Sequence, residues 1–119
     1  MLPRSNRLRR SSDVRAVYRE GRVAYGRYVA VRWRPNCRPV SRFAFSVSRQ
    51  VGKAVVRNRY RRRLREALRA RLGRLVPGYD VVVRVLGGAR GQRAADFAAL
   101  ATDLEAVLRK AGLLRCGCR

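Results

Sequence analysis

The sequence predicts an α+β fold, a two-layer α/β sandwich in which helices cover one four-stranded sheet. Two kinds of periodicity predict it. Short runs that alternate with a period of two precede a long run whose apolar residues recur every 3.6 residues. A Val-rich run and a second amphipathic segment then follow. Strands followed by a helix, a strand and a helix favour a sheet backed by helices. The predicted order is αβββαβα. The length of 119 residues suggests one domain over 1–119.

Residues 1–10 read as a basic, extended arm. Ser11, Ser12 and Asp13 offer N-cap oxygens, and Val14, Val17 and Tyr18 recur at helical spacing until Gly21. A short helix is expected over about 12–20. Arg22 to Arg34 alternates loosely and is rich in Val, Tyr and Trp, which favours strand. A Pro/Asn/Arg turn follows at 35–41. Arg42 to Ser48 is the clearest strand, with Phe43, Phe45 and Val47 on one face and Ala44, Ser46 and Ser48 on the other. The first face suits a core. The second is small and polar, and suits the floor of a groove.

Gln50-Val51-Gly52 breaks the alternation, and a long helix is predicted over about 54–74. Its apolar positions are Val56, Tyr60, Leu64, Ala67, Leu68, Leu72 and Leu75, and Pro77-Gly78 stops it. Tyr79 to Leu86 is a Val-rich strand. The glycine-rich stretch 87–91 lacks the Lys-Ser/Thr ending of a phosphate loop and reads as a flexible connection. Phe97, Leu100, Ala101, Leu104, Val107, Leu108 and Ala111 mark a last amphipathic helix ending near Gly112. The tail to Arg119 has no periodicity.

Apolar residues make up 47%, an ordinary globular value, but 30 Lys and Arg against 7 Asp and Glu give a net charge of +23. Such self-repulsion destabilises a compact chain unless a polyanion neutralises it. Nucleic acid is the first candidate and anionic membrane the second. All the cations except Lys53 and Lys110 are Arg, whose planar fork suits phosphate. The chain has no His, so it offers no imidazole for acid–base work or metal binding. The cysteines, Cys37, Cys116 and Cys118, are odd in number and lack framework spacing. Cys116-Gly117-Cys118 lacks a second ligand pair, so no metal site is expected there. The N-terminus has no signal-peptide pattern and no segment suits a bilayer span, so a cytoplasmic protein without membrane contact is expected.

The long helix carries the chemistry. Arg57, Arg61 and Arg65 lie at i, i+4 and i+8; Asn58, Arg62, Arg65 and Arg69 form a neighbouring stripe. These cations fan around an apolar edge of Tyr60, Leu64 and Leu68. A merely solvated helix would use Glu–Arg pairs at i,i+4, yet Glu66 is the only acid between Lys53 and Arg74. The pattern therefore points to phosphate binding.

The segment from Gly52 to Arg62, GKAVVRNRYRR, resembles the RNR signature of the bacterial ribonuclease P protein component. Asn6-Arg7-Leu8-Arg9, the strand Phe43 to Ser48 and Tyr79 to Val83 are similar to that family in the same order, and the resemblance covers about residues 5–114. It implies a ribosomal-protein-domain-like fold with a left-handed βαβ crossover, against the usual right-handed rule. It also implies a non-catalytic protein subunit of an RNA enzyme. The partners would be the ribonuclease P RNA, which binds the catalytic Mg²⁺, and precursor tRNA, whose 5′ leader would lie in a central cleft. By the same resemblance, Lys53, Arg57, Asn58, Arg59, Arg61, Arg62, Arg65 and Arg69 would bind RNA. The leader cleft would draw on Val14, Tyr18, Val31 or Trp33, Ser46 and Ser48. Val14 and Val31 stand where the family favours aromatics, which leaves stacking to Tyr18 and Trp33. The alternative for Val14 and Tyr18 is core packing of a short helix.

Two other functions are weighed against this one. A protein-only nuclease needs clustered carboxylates, but Asp13, Glu20, Glu66 and Asp80 are dispersed. A ribosomal or general RNA-binding scaffold with no role in tRNA processing fits the composition equally well.

Overall fold

Strand alternation gives the sheet two unlike faces, one apolar and one mixed. The computed structural model describes residues 6–86 and 97–114. Its elements are α1 (Ser11–Glu20), β1 (Arg22–Tyr25), β2 (Val29–Pro35), β3 (Arg42–Val47), α2 (Ala54–Arg69), β4 (Tyr79–Val85) and α3 (Phe97–Lys110). This is the expected αβββαβα order. The sheet runs β1-β2-β4-β3. β2 is antiparallel to β1 and β4, while β3 and β4 are parallel, with α2 in the crossover between them. The glycine-rich stretch 87–91 and the tail after 114 lie outside the described residues.

On the apolar face the register aligns Trp33, Val81 and Phe43; then Ala24, Val31, Val83 and Phe45; then Val29, Val85 and Val47. Tyr60, Leu64 and Leu68 of α2 and Leu100, Leu104, Val107 and Leu108 of α3 bury against these rows. Each such leucine gains roughly 1.5–3 kcal/mol from burial. On the other face the rows are Arg34, Asp80 and Arg42; then Val23, Arg32, Val82 and Ala44; then Tyr25, Ala30, Arg84 and Ser46. α1 crosses this face. Its Val17 buries with Leu8 and Val82. Its ends are tied to the first of these rows, by Asp13 to Arg42 at 3.5 Å and by Glu20 to Arg34. The helical layers are thus unequal: among the described residues α2 and α3 cover one face, while on the other, beyond α1, Tyr25 and Arg84 stay exposed on either side of buried Ala30.

Two buried or pinned carboxylates hold the parts in register. Asp80, 1% exposed, accepts from Arg42 Nε at 2.9 Å, Arg42 Nη2 at 2.7 Å and Asn36 Nδ2 at 2.9 Å. Burial pushes its pKa up, but the hydrogen bonds from Arg42 and Asn36 outweigh burial and hold it below the ordinary value. Asp103 of α3 accepts from the backbone N–H groups of Arg27, Tyr28 and Val29 at 3.0, 2.8 and 3.0 Å. That cage closes the turn between β1 and β2 and so fixes where the loose Arg22–Arg34 stretch divides into a hairpin.

One expectation about the elements needs correction. The long helix predicted to 74 ends at Arg69, and a 3-10 turn, Leu72–Arg74, follows. Arg71 causes the stop: its Nη1 takes the Ala67 carbonyl at 2.7 Å while its Nε holds Glu105 at 2.9 Å. Leu72 and Leu75 still pack on the core, which is why the apolar period ran on. The described end of the arm docks on β3. Leu8 is buried, its N–H donates to the Phe43 carbonyl at 2.9 Å, and Asn6 Nδ2 donates to the Ser41 carbonyl at 2.8 Å.

Candidate nucleic-acid interface

The first surface is the outward side of α2. Because Tyr60, Leu64 and Leu68 are buried, the residues between them are forced outward. Lys53, Asn58, Arg59, Arg62, Arg65 and Arg69 are exposed, while Arg57 and Arg61 are half-buried. Arg61 Nη1 donates to Asn58 Oδ1 at 2.8 Å, which fixes both side chains. Asn58, Arg59, Arg62 and Arg65, with Val55 and Glu66, line a shallow depression. Glu66 sits 3.7 Å from Arg63. Among the described residues, no carboxylate lies within ion-pair distance of Arg59, Arg62, Arg65 or Arg69. Four unpaired guanidiniums on one side of one helix, beside the single carboxylate of Glu66, give a surface whose chemistry suits phosphate.

The second surface is the partly uncovered sheet face. Tyr18 and Val14 of α1 pack at the edge of the Leu8–Val17–Val82 cluster and stay half-buried. Each of the two packs on this cluster and keeps an accessible side. The guanidinium of Arg32 lies over the Tyr18 ring, 5.0 Å from its centre. Ser46 is half-buried in the row that also holds exposed Arg84. Ser48, half-buried, lies just past the end of β3.

Val31 and Trp33 do not join this surface. Val31 is 0% exposed in the main core, and Trp33 packs on that same core from the same face. The cause is strand parity: within β2 the inward residues are Val29, Val31 and Trp33, so Arg32 takes the cleft side. Arg32 and Arg84 were not among the residues expected here. The loose alternation over 22–34 left its parity unset. Setting it against Val81-Val82-Val83 would have put Arg32 on the Val82 side.

The two surfaces meet at the edge strand β3. Arg7, Leu8, Arg9, Phe43, Ala44, Phe45 and Arg65 line a groove there, so Arg65 borders both the α2 depression and the way onto the sheet face. A polyanion held on α2 can pass around Arg65 to the sheet without leaving cationic surface.

The residues 2–112 match the family model described as Ribonuclease P. The chain is 47% identical over 110 residues to the ribonuclease P protein component of Acidothermus cellulolyticus, covering 91% of this chain and 89% of that one. It is 44% identical over 119 residues to that of Streptomyces avermitilis, covering 92% and 94%. Among solved structures, the RNase P protein from Thermotoga maritima matches with a TM-score of 0.76 at 30% identity, covering 87% of this chain and 96% of that one. The Staphylococcus aureus RNase P protein matches with a TM-score of 0.82, covering 92% and 98%; at 24% identity this likeness speaks for the fold alone.

Proposed function

The chain belongs to the ribonuclease P protein family, and on that premise we propose that α2 grips the RNA subunit while the open sheet face receives the 5′ leader of precursor tRNA. The family supplies the protein component of an endoribonuclease acting in tRNA 5′ processing, and this chain takes that role. No helix among the described residues is long and apolar enough to cross a membrane.

In this reading Lys53, Arg57, Asn58, Arg59, Arg61, Arg62, Arg65 and Arg69 contact ribonuclease P RNA. Phosphate contacts of this kind position the partner rather than read its sequence. The leader then crosses Ser46, Val14, Tyr18 and Arg32. Tyr18 offers one stacking face, and the strand-tolerant character of base–aromatic stacking suits leaders of any sequence. Only a precursor has a leader, so these contacts favour substrate over mature product. The observation that carries the proposal is Arg65, which joins the unpaired cations of α2 to the sheet face.

Bond cleavage belongs to the RNA. Apart from Asp96, outside the described residues, the chain's carboxylates are engaged: Glu20, Asp80 and Glu105 by arginines, Asp103 by backbone N–H groups, Asp13 and Glu66 each near an arginine. That donor set does not fit a Mg²⁺ site, and the described residues hold no cluster of metal-ligating side chains. In this reading the RNA subunit holds the Mg²⁺ of the reaction, and this chain's acids serve its own fold.

The test compares the affinity of the reconstituted holoenzyme for precursor and mature tRNA. The protein should raise precursor affinity selectively, and Tyr18→Ala should reduce that preference. Equal tightening of precursor and mature tRNA would reduce the chain to a general RNA-binding scaffold.

A further inference from the structure

We propose that Tyr25 is a second base-stacking position, at the outer edge of the sheet face, and that its ligand is a single-stranded leader nucleotide beyond those that reach Tyr18. The proposal rests on the leader reading above and names where the leader path ends.

Tyr25 is 55% exposed and Val23, two residues earlier on the same face, is 37% exposed. Such large apolar side chains beside each other on an edge strand lack a partner within the described residues. The register sets their company. Tyr25 stands across from Ala30, then Arg84, then Ser46. An exposed aromatic ring, a small buried residue, an exposed cation and a half-buried hydroxyl thus lie in one row perpendicular to the strands. Three strand spacings separate its ends, roughly 14 Å. That order suits a base on the ring and a phosphate on the guanidinium.

The backbone that carries the ring is held in place. The Tyr25 carbonyl accepts from Lys110 Nζ at 3.2 Å, and Gly26 N–H donates to the Val29 carbonyl at 2.7 Å. Asp103 then fixes the next three N–H groups of the turn. A ligand that stacks here orders little backbone, which favours binding.

Charge decides the class of ligand. The row carries Arg84 and no carboxylate, Arg32 lies in the next row, and the whole chain carries +23. A polyanion complements that field, whereas a protein surface would have to be unusually acidic. Direction follows from the fold. α2 packs over β3, and β1 is the opposite edge of the sheet. A strand of RNA coming from α2 therefore meets Ser46 first and Tyr25 last.

The test uses the reconstituted holoenzyme and precursor tRNAs whose leaders are shortened stepwise from the 5′ end. Affinity is measured for wild type, Tyr25→Leu, Tyr25→Ala, Tyr25→Phe and Tyr18→Ala. Tyr25→Leu keeps the bulk of the edge strand should Tyr25→Ala fold poorly. Tyr25→Leu and Tyr25→Ala should weaken long-leader binding about fivefold or more. Tyr25→Phe should bind like wild type, and the shortest leaders should not distinguish the Tyr25 variants. Wild-type affinity of Tyr25→Leu at every leader length overturns the proposal. So does equal weakening at all lengths, or an unchanged leader response with altered self-association in sedimentation, which would make the patch a protein contact. If wild type itself shows no leader dependence and Tyr18→Ala changes nothing, the parent reading falls; if Tyr18 matters and Tyr25 does not, this proposal alone falls.

Discussion

The Arg32 guanidinium lies 5.0 Å from the centre of the Tyr18 ring and joins β2 to α1 across the open sheet face. The contact serves two purposes at once. It orients an aromatic ring on a short helix, and it sets a cation beside that ring. Cation–π pairs of this kind are worth about 0.5–1 kcal/mol at exposed sites.

Tyr18→Ala should weaken holoenzyme binding of precursor tRNA by about 1–3 kcal/mol, the worth of one stacked base, and leave mature tRNA binding unchanged. Arg32→Ala should have a smaller effect that fades as salt is raised, because it removes a phosphate contact and loosens the ring. Equilibrium binding at two salt concentrations measures both. Equal losses on precursor and mature tRNA would show that these residues act through folding and not through the leader.

The α2 helix should separate stability from RNA binding. Leu64 is 0% exposed, so Leu64→Ala should cost about 2–5 kcal/mol of folding stability. Arg59→Ala and Arg62→Ala lie on the exposed side and should change stability by less than about 0.5 kcal/mol. Each should instead weaken ribonuclease P RNA binding and lower the slope of log K against log salt by about 1. Denaturant unfolding and salt-dependent binding together check this. A destabilised Arg62→Ala with an unchanged salt slope would move that residue from the interface to the scaffold.

The strands and helices were legible because periodicity reports burial directly: Phe43 and Val47, or Leu64 and Leu68, bury as their spacing requires. What sequence did not carry was the outcome of competition between side chains far apart in the chain. Arg71 closes the end of α2 on the Ala67 carbonyl while Glu105, distant in sequence, holds its Nε, and that second contact has no local signature. The docking of Leu8 beside Phe43 is likewise a long-range pairing. On the sheet face, helical spacing set only that Tyr18 lies one turn from Val14, and its expected role came from the family resemblance; Val31 and Trp33 were expected beside it until strand register turned Arg32 toward α1 and both of them toward the core. The RNR stripe needed no such help, since a single helix fixes all of its faces at once.

Acid should unfold the protein partly through Asp80. Its folded pKa lies below the unfolded value, near 3.9, so the carboxylate contributes stability that is full above that value. That contribution is lost as pH falls through the depressed folded pKa. Glu105, lowered mainly by its hydrogen bond from Arg71, acts in the same direction. Asp80→Ala should lose about 3–5 kcal/mol at neutral pH, because Arg42 is left largely buried beside the more distant Asp13. It should also show a shallower fall in stability on acidification. Urea unfolding across the acid range reads both, and an acid limb as steep as wild type would move the linkage to the other carboxylates.

Gly21 sets the distance between α1 and the sheet. Its N–H donates to the Val17 carbonyl at 2.8 Å as the helix ends. A Cβ at this position would meet that same carbonyl oxygen and would sit 2.7 Å from the Trp33 carbonyl oxygen of β2. Both neighbours are backbone, so neither can swing aside, and the helix itself must move. Gly21→Ala should therefore cost about 1–3 kcal/mol of stability, the usual range for overpacking. More tellingly, it should part Tyr18 from Arg32 while leaving α2 in place. Ribonuclease P RNA binding should stay near wild type, and preference for precursor over mature tRNA should fall. Thermal unfolding and paired tRNA affinities test the two halves separately. A destabilised variant that keeps full precursor preference would show that the leader does not depend on where α1 sits.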